Sequence, residues 1–91
     1  MKEQETIVLE KFRKLAEEEA KNIQEIFTGY SSFTQRITFR HNIHKIHYGY
    51  FMGFSEMNST FGCHLDPIII DREMYKITDE IIEKYFPKEN D

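Results

Sequence analysis

Histidines stand at positions 41, 44 and 47, each three residues from the next, and Arg36, Arg40 and Lys45 stand among them. Imidazole nitrogens ligate metals, move protons and donate hydrogen bonds, while guanidinium and ammonium groups recognise carboxylate and phosphate. Three chemistries therefore compete for this stretch: a metal site, an anion site, and a surface for an acidic partner. A metal site would recruit Cys63 and His64, which are zinc-type ligands. The spacing does not support it, because one cysteine with scattered histidines lacks the paired CxxC or HxxxH geometry of metal sites. Histidines solvated at a turn account for the pattern, and no metal ligand is assigned.

Other sites for covalent or redox chemistry are not evident. Cys63 beside His64 has the composition of a nucleophile and its base, but neighbours on a strand point to opposite faces. No pair of carboxylates is set apart from the charged helix surfaces. Gly49 and Gly53 lie in GYFMGF, which has neither the glycine density nor the following lysine of a phosphate loop. No catalytic residue and no cofactor is assigned, and the chain reads as non-enzymatic.

Charge narrows the choice further. The net charge is −4. It divides into −2 over residues 1–25, +2 over 26–65 and −4 over 66–91, and all four histidines fall in the middle block. A mildly basic face on an acidic body is one reading. The other is that strands hold fewer Glu and Lys than helices do. No apolar run approaches the roughly 18 residues of a membrane span, and the charged start MKEQETIVLEKF lacks the apolar segment of a secretory signal. The single cysteine fits a reducing compartment. A cytoplasmic location is the expectation.

The elements that must position these residues follow from periodicity. From 4 to 28, Val8, Phe12, Leu15, Ala16, Ala20, Ile23, Ile26 and Phe27 recur at steps of three or four, the pattern of an amphipathic helix. Gly29 is a natural stop. Its seam has room for three heptads at most, so a core helix is preferred to a coiled coil. From 32 to 54 the pattern changes to alternation. Phe33, Gln35, Ile37 and Phe39 take odd positions, whereas Ile46, Tyr48, Tyr50, Met52 and Phe54 take even ones. A parity flip between two alternating runs predicts a β-hairpin. Phe39 then faces Ile46, Ile37 faces Tyr48 and Phe33 faces Met52 on the apolar side. Arg40 faces Lys45 and Thr38 faces His47 on the other, with a four-residue loop at 41–44.

Residues 55–70 read as a connector holding a short third strand at Phe61–Leu65, with Ile68–Ile70 open to strand or helix. Asp66-Pro67 is a helix-start signal, although the favoured helix is 71–86, carrying Met74, Ile77, Ile81 and Tyr85. Residues 87–91 form a polar tail. The whole chain, 1–91, is then one domain, an α+β two-layer sandwich of order α-β-β-(β)-α. Helix, three strands and helix is also the order of double-stranded-RNA-binding domains, without the basic cluster that opens their last helix, since Asp71 and Glu73 stand there.

The expected function is a small interaction module, of inhibitor, immunity or adaptor type, that binds a protein partner or a second copy of itself. Its binding face is the outer side and tip of the hairpin: Arg36, Arg40, His41, His44, Lys45 and His47. Nucleic-acid binding through the same basic face is the first alternative, and a small anionic ligand or metal at the histidine-rich tip is the second.

Overall fold

The computed structural model describes residues 3–61 and 66–88, with side chains for 3–53 and 66–88. Three helices pack side by side: α1 (Glu3–Ile26), α2 (Ser32–Phe61) and α3 (Pro67–Tyr85). Each touches the other two. There is no strand among the described residues. The α+β sandwich expected from the sequence is therefore corrected to an all-helical bundle, and the expected hairpin over 32–54 lies within one helix. The likeness in element order to double-stranded-RNA-binding domains falls with it. The third strand was expected at 61–65; Phe61 belongs to α2, and 62–65 lie outside the described residues.

α1 follows the expected apolar stripe at Phe12, Ala16, Ala20 and Ile23, with Val8 and Phe27 packed against the core. Its buried residues are Glu5, Leu9, Phe12, Ala16, Ala20 and Ile23, whereas Leu15 and Ile26 are exposed. The helix ends as Gly29 takes a left-handed conformation, φ +88°, which glycine adopts without a Cβ penalty. Five residues, 27–31, separate α1 from α2. The Ser31 hydroxyl accepts from Thr34 N at 3.2 Å, an N-cap contact. Gln35 Nε2 donates back to Phe27 O at 2.9 Å, which ties the start of α2 to the end of α1.

α2 buries Phe39, Ile43 and His47, with Ile46 and Tyr50 partly covered. These fall at i, i+4, i+7, i+8 and i+11, one side of a helix. The opposite side carries Phe33, Ile37, Tyr48 and Met52, which are 66%, 50%, 60% and 48% exposed. Four of the six residues expected on the apolar side of the hairpin, Phe33, Ile37, Tyr48 and Met52, therefore point away from the core. Only Phe39 and Ile46 face it.

α3 starts earlier than the expected 71. Asp66 is its N-cap, and its Oδ1 accepts from Ile68 N at 3.0 Å and Ile69 N at 3.3 Å, with Pro67 in the first turn. The Ile68–Ile70 run is thus helical. Ile70, Met74, Ile77, Ile81 and Ile82 supply its apolar stripe. Asp66 N in turn donates to Glu5 Oε2 at 3.0 Å, so a carboxylate only 3% exposed joins the N-terminal ends of α1 and α3. Asp66→Ala is expected to cost about 1 kcal/mol through the lost cap, read as a lower urea midpoint with an unchanged slope.

At the other end of α3 the terminal carbonyls are satisfied by the two neighbouring helices. Gln24 Nε2 donates to Tyr85 O at 2.9 Å. Arg36 donates through Nε and Nη2 to Phe86 O at 3.2 and 2.8 Å. Phe86 itself is buried, its ring 5.3 Å from that of Phe39. The C-terminus of each helix carries carbonyls without an intrahelical partner, and a cation there also answers the helix dipole.

Candidate site between α2 and α3

Helical geometry sorts the six expected binding residues into three fates. Arg36 turns inward to the Phe86 carbonyl and is structural. Lys45 is exposed and lies outside the lining of the cleft between α2 and α3. Arg40, His41, His44 and His47 converge with Ile43, Tyr75 and Thr78 on a cleft of about 300 Å³ between α2 and α3. Arg40, His44 and His47 stand at i, i+4 and i+7, which brings their side chains to one side of the helix.

The four convergent residues differ in environment. His47 is only 5% exposed. Its Nε2 lies 2.6 Å from Asp71 Oδ1 on α3. Its ring meets Phe12 edge-on at 5.9 Å and Tyr75 at 4.5 Å. Its Nδ1 has no hydrogen-bond partner among the described residues. His41 and His44 are exposed at the rim. Arg40 Nη2 approaches Asp79 Oδ1 at 3.9 Å, with both side chains more than half exposed. A loose surface pair of this kind contributes little and leaves the guanidinium fork able to receive a ligand.

α3 supplies the far wall through Tyr75 and Thr78, which belong to neither a basic nor a histidine-rich segment. The signal was present. Asp71, Tyr75 and Thr78 each follow a core residue, Ile70, Met74 and Ile77, by one position. That row must lie beside the buried stripe, at the seam with a neighbouring helix.

The geometry also bears on chemistry. Among the described residues no group of three or more His, Cys, Asp or Glu is placed to hold a metal ion. His41 stands at the exposed rim of the cleft while His47 is buried in its wall and already meets Asp71. Cys63 and His64 lie outside the described residues. The Thr78 hydroxyl donates to Met74 O at 2.9 Å within its own helix. What the cleft offers is a set of cationic and imidazole donors around an apolar floor.

A pair of substitutions separates the structural arginine from the exposed one. Arg36→Ala is expected to cost about 1.5–3 kcal/mol, because it removes a charged donor from a part-buried carbonyl. Arg40→Ala is expected to stay within about 0.5 kcal/mol of the parent. Thermal unfolding followed by circular dichroism distinguishes them.

Among the described residues no helix is long and apolar enough to cross a membrane. The chain matches no family model, and comparison with curated proteins and with solved structures gives no match.

Proposed function

We propose that the protein is a small cytoplasmic, non-enzymatic interaction module whose working surface is the outward face of α2, and that its partner presents an acidic, apolar segment. The observation that carries this reading is the stripe Phe33, Ile37, His41, His44, Tyr48 and Met52. Its steps of 4, 4, 3, 4 and 4 hold all six on one side of the helix, over about 28 Å of its length. Four of the six are large apolar residues between 48% and 66% exposed. Contiguous apolar surface rimmed by polar groups is characteristic of interaction sites.

Charge supports the kind of partner. From residue 26 to residue 55 the chain has no Asp or Glu, and Arg40 and Lys45 flank the stripe. A partner bearing carboxylates around an apolar ridge complements this surface. A second copy of α2 suits it less, since Arg40 and Lys45 would meet their own duplicates with no carboxylate between residues 26 and 55 to offset them. Nucleic-acid binding has less support than it had from the sequence. Arg36 is turned inward, and two remaining exposed cations make only weak, salt-sensitive contact with phosphates.

Affinity capture with paired baits tests the reading. The wild-type chain is expected to retain a discrete complex that Ile37→Glu/Tyr48→Glu does not retain, and that weakens as salt rises. The retained protein must contain an acidic apolar segment that binds as an isolated peptide. Equal retention by both baits, a basic contact segment, or a dimer mass for the chain alone would overturn it.

A further inference from the structure

The cleft between α2 and α3 is distinct from the apolar stripe, although His41 and His44 border both. We propose that it is a binding site for a small ring-bearing oxyanion, an aromatic carboxylate or aryl phosphate, with Arg40, His41 and His44 around the oxyanion and Ile43, Tyr75 and His47 against the ring. Its volume of about 300 Å³ lies at the small end of the range for ligand pockets, roughly 300–1,000 Å³. That is room for one substituted ring.

Three features point to this ligand class. First, the donors converge without being used up. Arg40 is 3.9 Å from its nearest carboxylate oxygen, beyond hydrogen-bonding distance. His41 and His44 have no partner among the described residues. A guanidinium fork with adjacent imidazoles matches the geometry of carboxylate and phosphate. Second, a polar group is buried in the wall. His47 is held through Nε2 by Asp71, while Nδ1 of this nearly buried ring is unpartnered among the described residues. Buried polar nitrogens are rarely left so. Third, the interior surface is ring-shaped and apolar. Tyr75 and His47 lie with ring centres 4.5 Å apart beside Ile43, a surface on which an aromatic ring stacks favourably.

The carboxylates nearby do not occupy the cleft. Asp71 is committed to His47, and Asp79 stands out in solvent beside Arg40. Neither belongs to the lining. The wall is also built for permanence, because the His47–Asp71 contact joins α2 to α3 and the Phe12 edge supports the ring from α1.

The pocket shares only His41 and His44 with the docking face of α2, and its test needs no partner. The full chain, labelled for NMR, is titrated with benzoate, phenyl phosphate and the neutral benzyl alcohol. Both anions are expected to shift the Thr78, Tyr75 and His44 signals saturably, with Kd of about 1 mM or tighter. Benzyl alcohol is expected to bind about tenfold more weakly, as is each anion to Arg40→Gln/His44→Gln. Those residues are exposed, so the variant should keep its helix content, and Arg40→Gln alone serves if it does not. Lys45→Gln, outside the cleft, should bind like the parent. Absence of saturable shifts with either anion, equal binding of benzyl alcohol, or undiminished binding by the Arg40 variants would overturn the proposal.

Discussion

His44→Pro is expected to destabilise the protein by about 3 kcal/mol or more, whereas His44→Ala should be neutral or slightly stabilising. Position 44 lies near the middle of α2. A proline there removes the amide donor of that turn, and its ring clashes with the carbonyl four residues earlier. It also disfavours helical geometry at Ile43, which is buried against the other two helices. A domain of this size has about 5–15 kcal/mol of stability in total, so the variant would lose a large share of it. The melting temperature should fall on the order of 15 °C or more, and helical ellipticity should fall with it. The result is decisive about architecture. In a hairpin whose loop is 41–44, proline at 44 would sit at a turn and be tolerated. A proline variant that melts with the parent would sink the continuous helix.

The sequence invited the hairpin for a reason that can be traced residue by residue. Four-residue steps along a helix preserve odd or even parity, and a three-residue step reverses it. The outer stripe of α2 runs 33, 37, 41, 44, 48, 52. It is odd up to 41 and even from 44, with the single three-step between them. That is where the loop of the hairpin was expected. The same stripe is symmetric about its midpoint, so pairing across a hairpin met like with like and the register seemed to explain both strands. Composition strengthened the impression, since Thr, Ile, Phe and Tyr are weaker helix formers and good strand formers. The contrary signal was the turn itself. His41-Asn42-Ile43-His44 holds no Gly or Pro, and tight hairpin turns depend on residues that adopt left-handed backbone. Local preference yielded to tertiary packing of Phe39, Ile43 and His47, which is how most helices in proteins are stabilised.

α1 and α3 were more legible because each has one apolar face and one charged face. Even there the pattern hid a buried carboxylate. Glu5 stands four residues before Leu9, on the stripe that continues through Phe12, Ala16, Ala20 and Ile23. Reading only apolar residues dropped it. The cleft was half legible for a related reason. Its α2 side was visible as a cluster of His and Arg, but its α3 side is an ordinary row of Asp, Tyr and Thr. Only the packing of α2 on α3 gives that row its meaning, and a single strand of sequence carries no record of which helix seam a row will face.

The two faces of α2 give the second large effect. Phe39→Ala is expected to cost about 3–5 kcal/mol, and Phe33→Ala to stay within about 0.5 kcal/mol. Both residues were expected on one core face, six positions apart. The structure separates them. Phe39 is fully buried, with its ring 5.3 Å from Phe86, and Phe33 is 66% exposed. Truncating Phe39 removes apolar area from the centre of the bundle, leaves a cavity and breaks an aromatic pair. It also loosens Phe86, whose carbonyl receives Arg36, so the two substitutions should be coupled. A double-mutant cycle of Phe39→Ala with Arg36→Ala is expected to cost less than the sum of the single effects, because both act on the same helix end. Phe33→Ala with Arg36→Ala should instead be additive. If Phe33→Ala proved as costly as Phe39→Ala, the outward face of α2 would be part of the core, and the proposed docking surface would go with it.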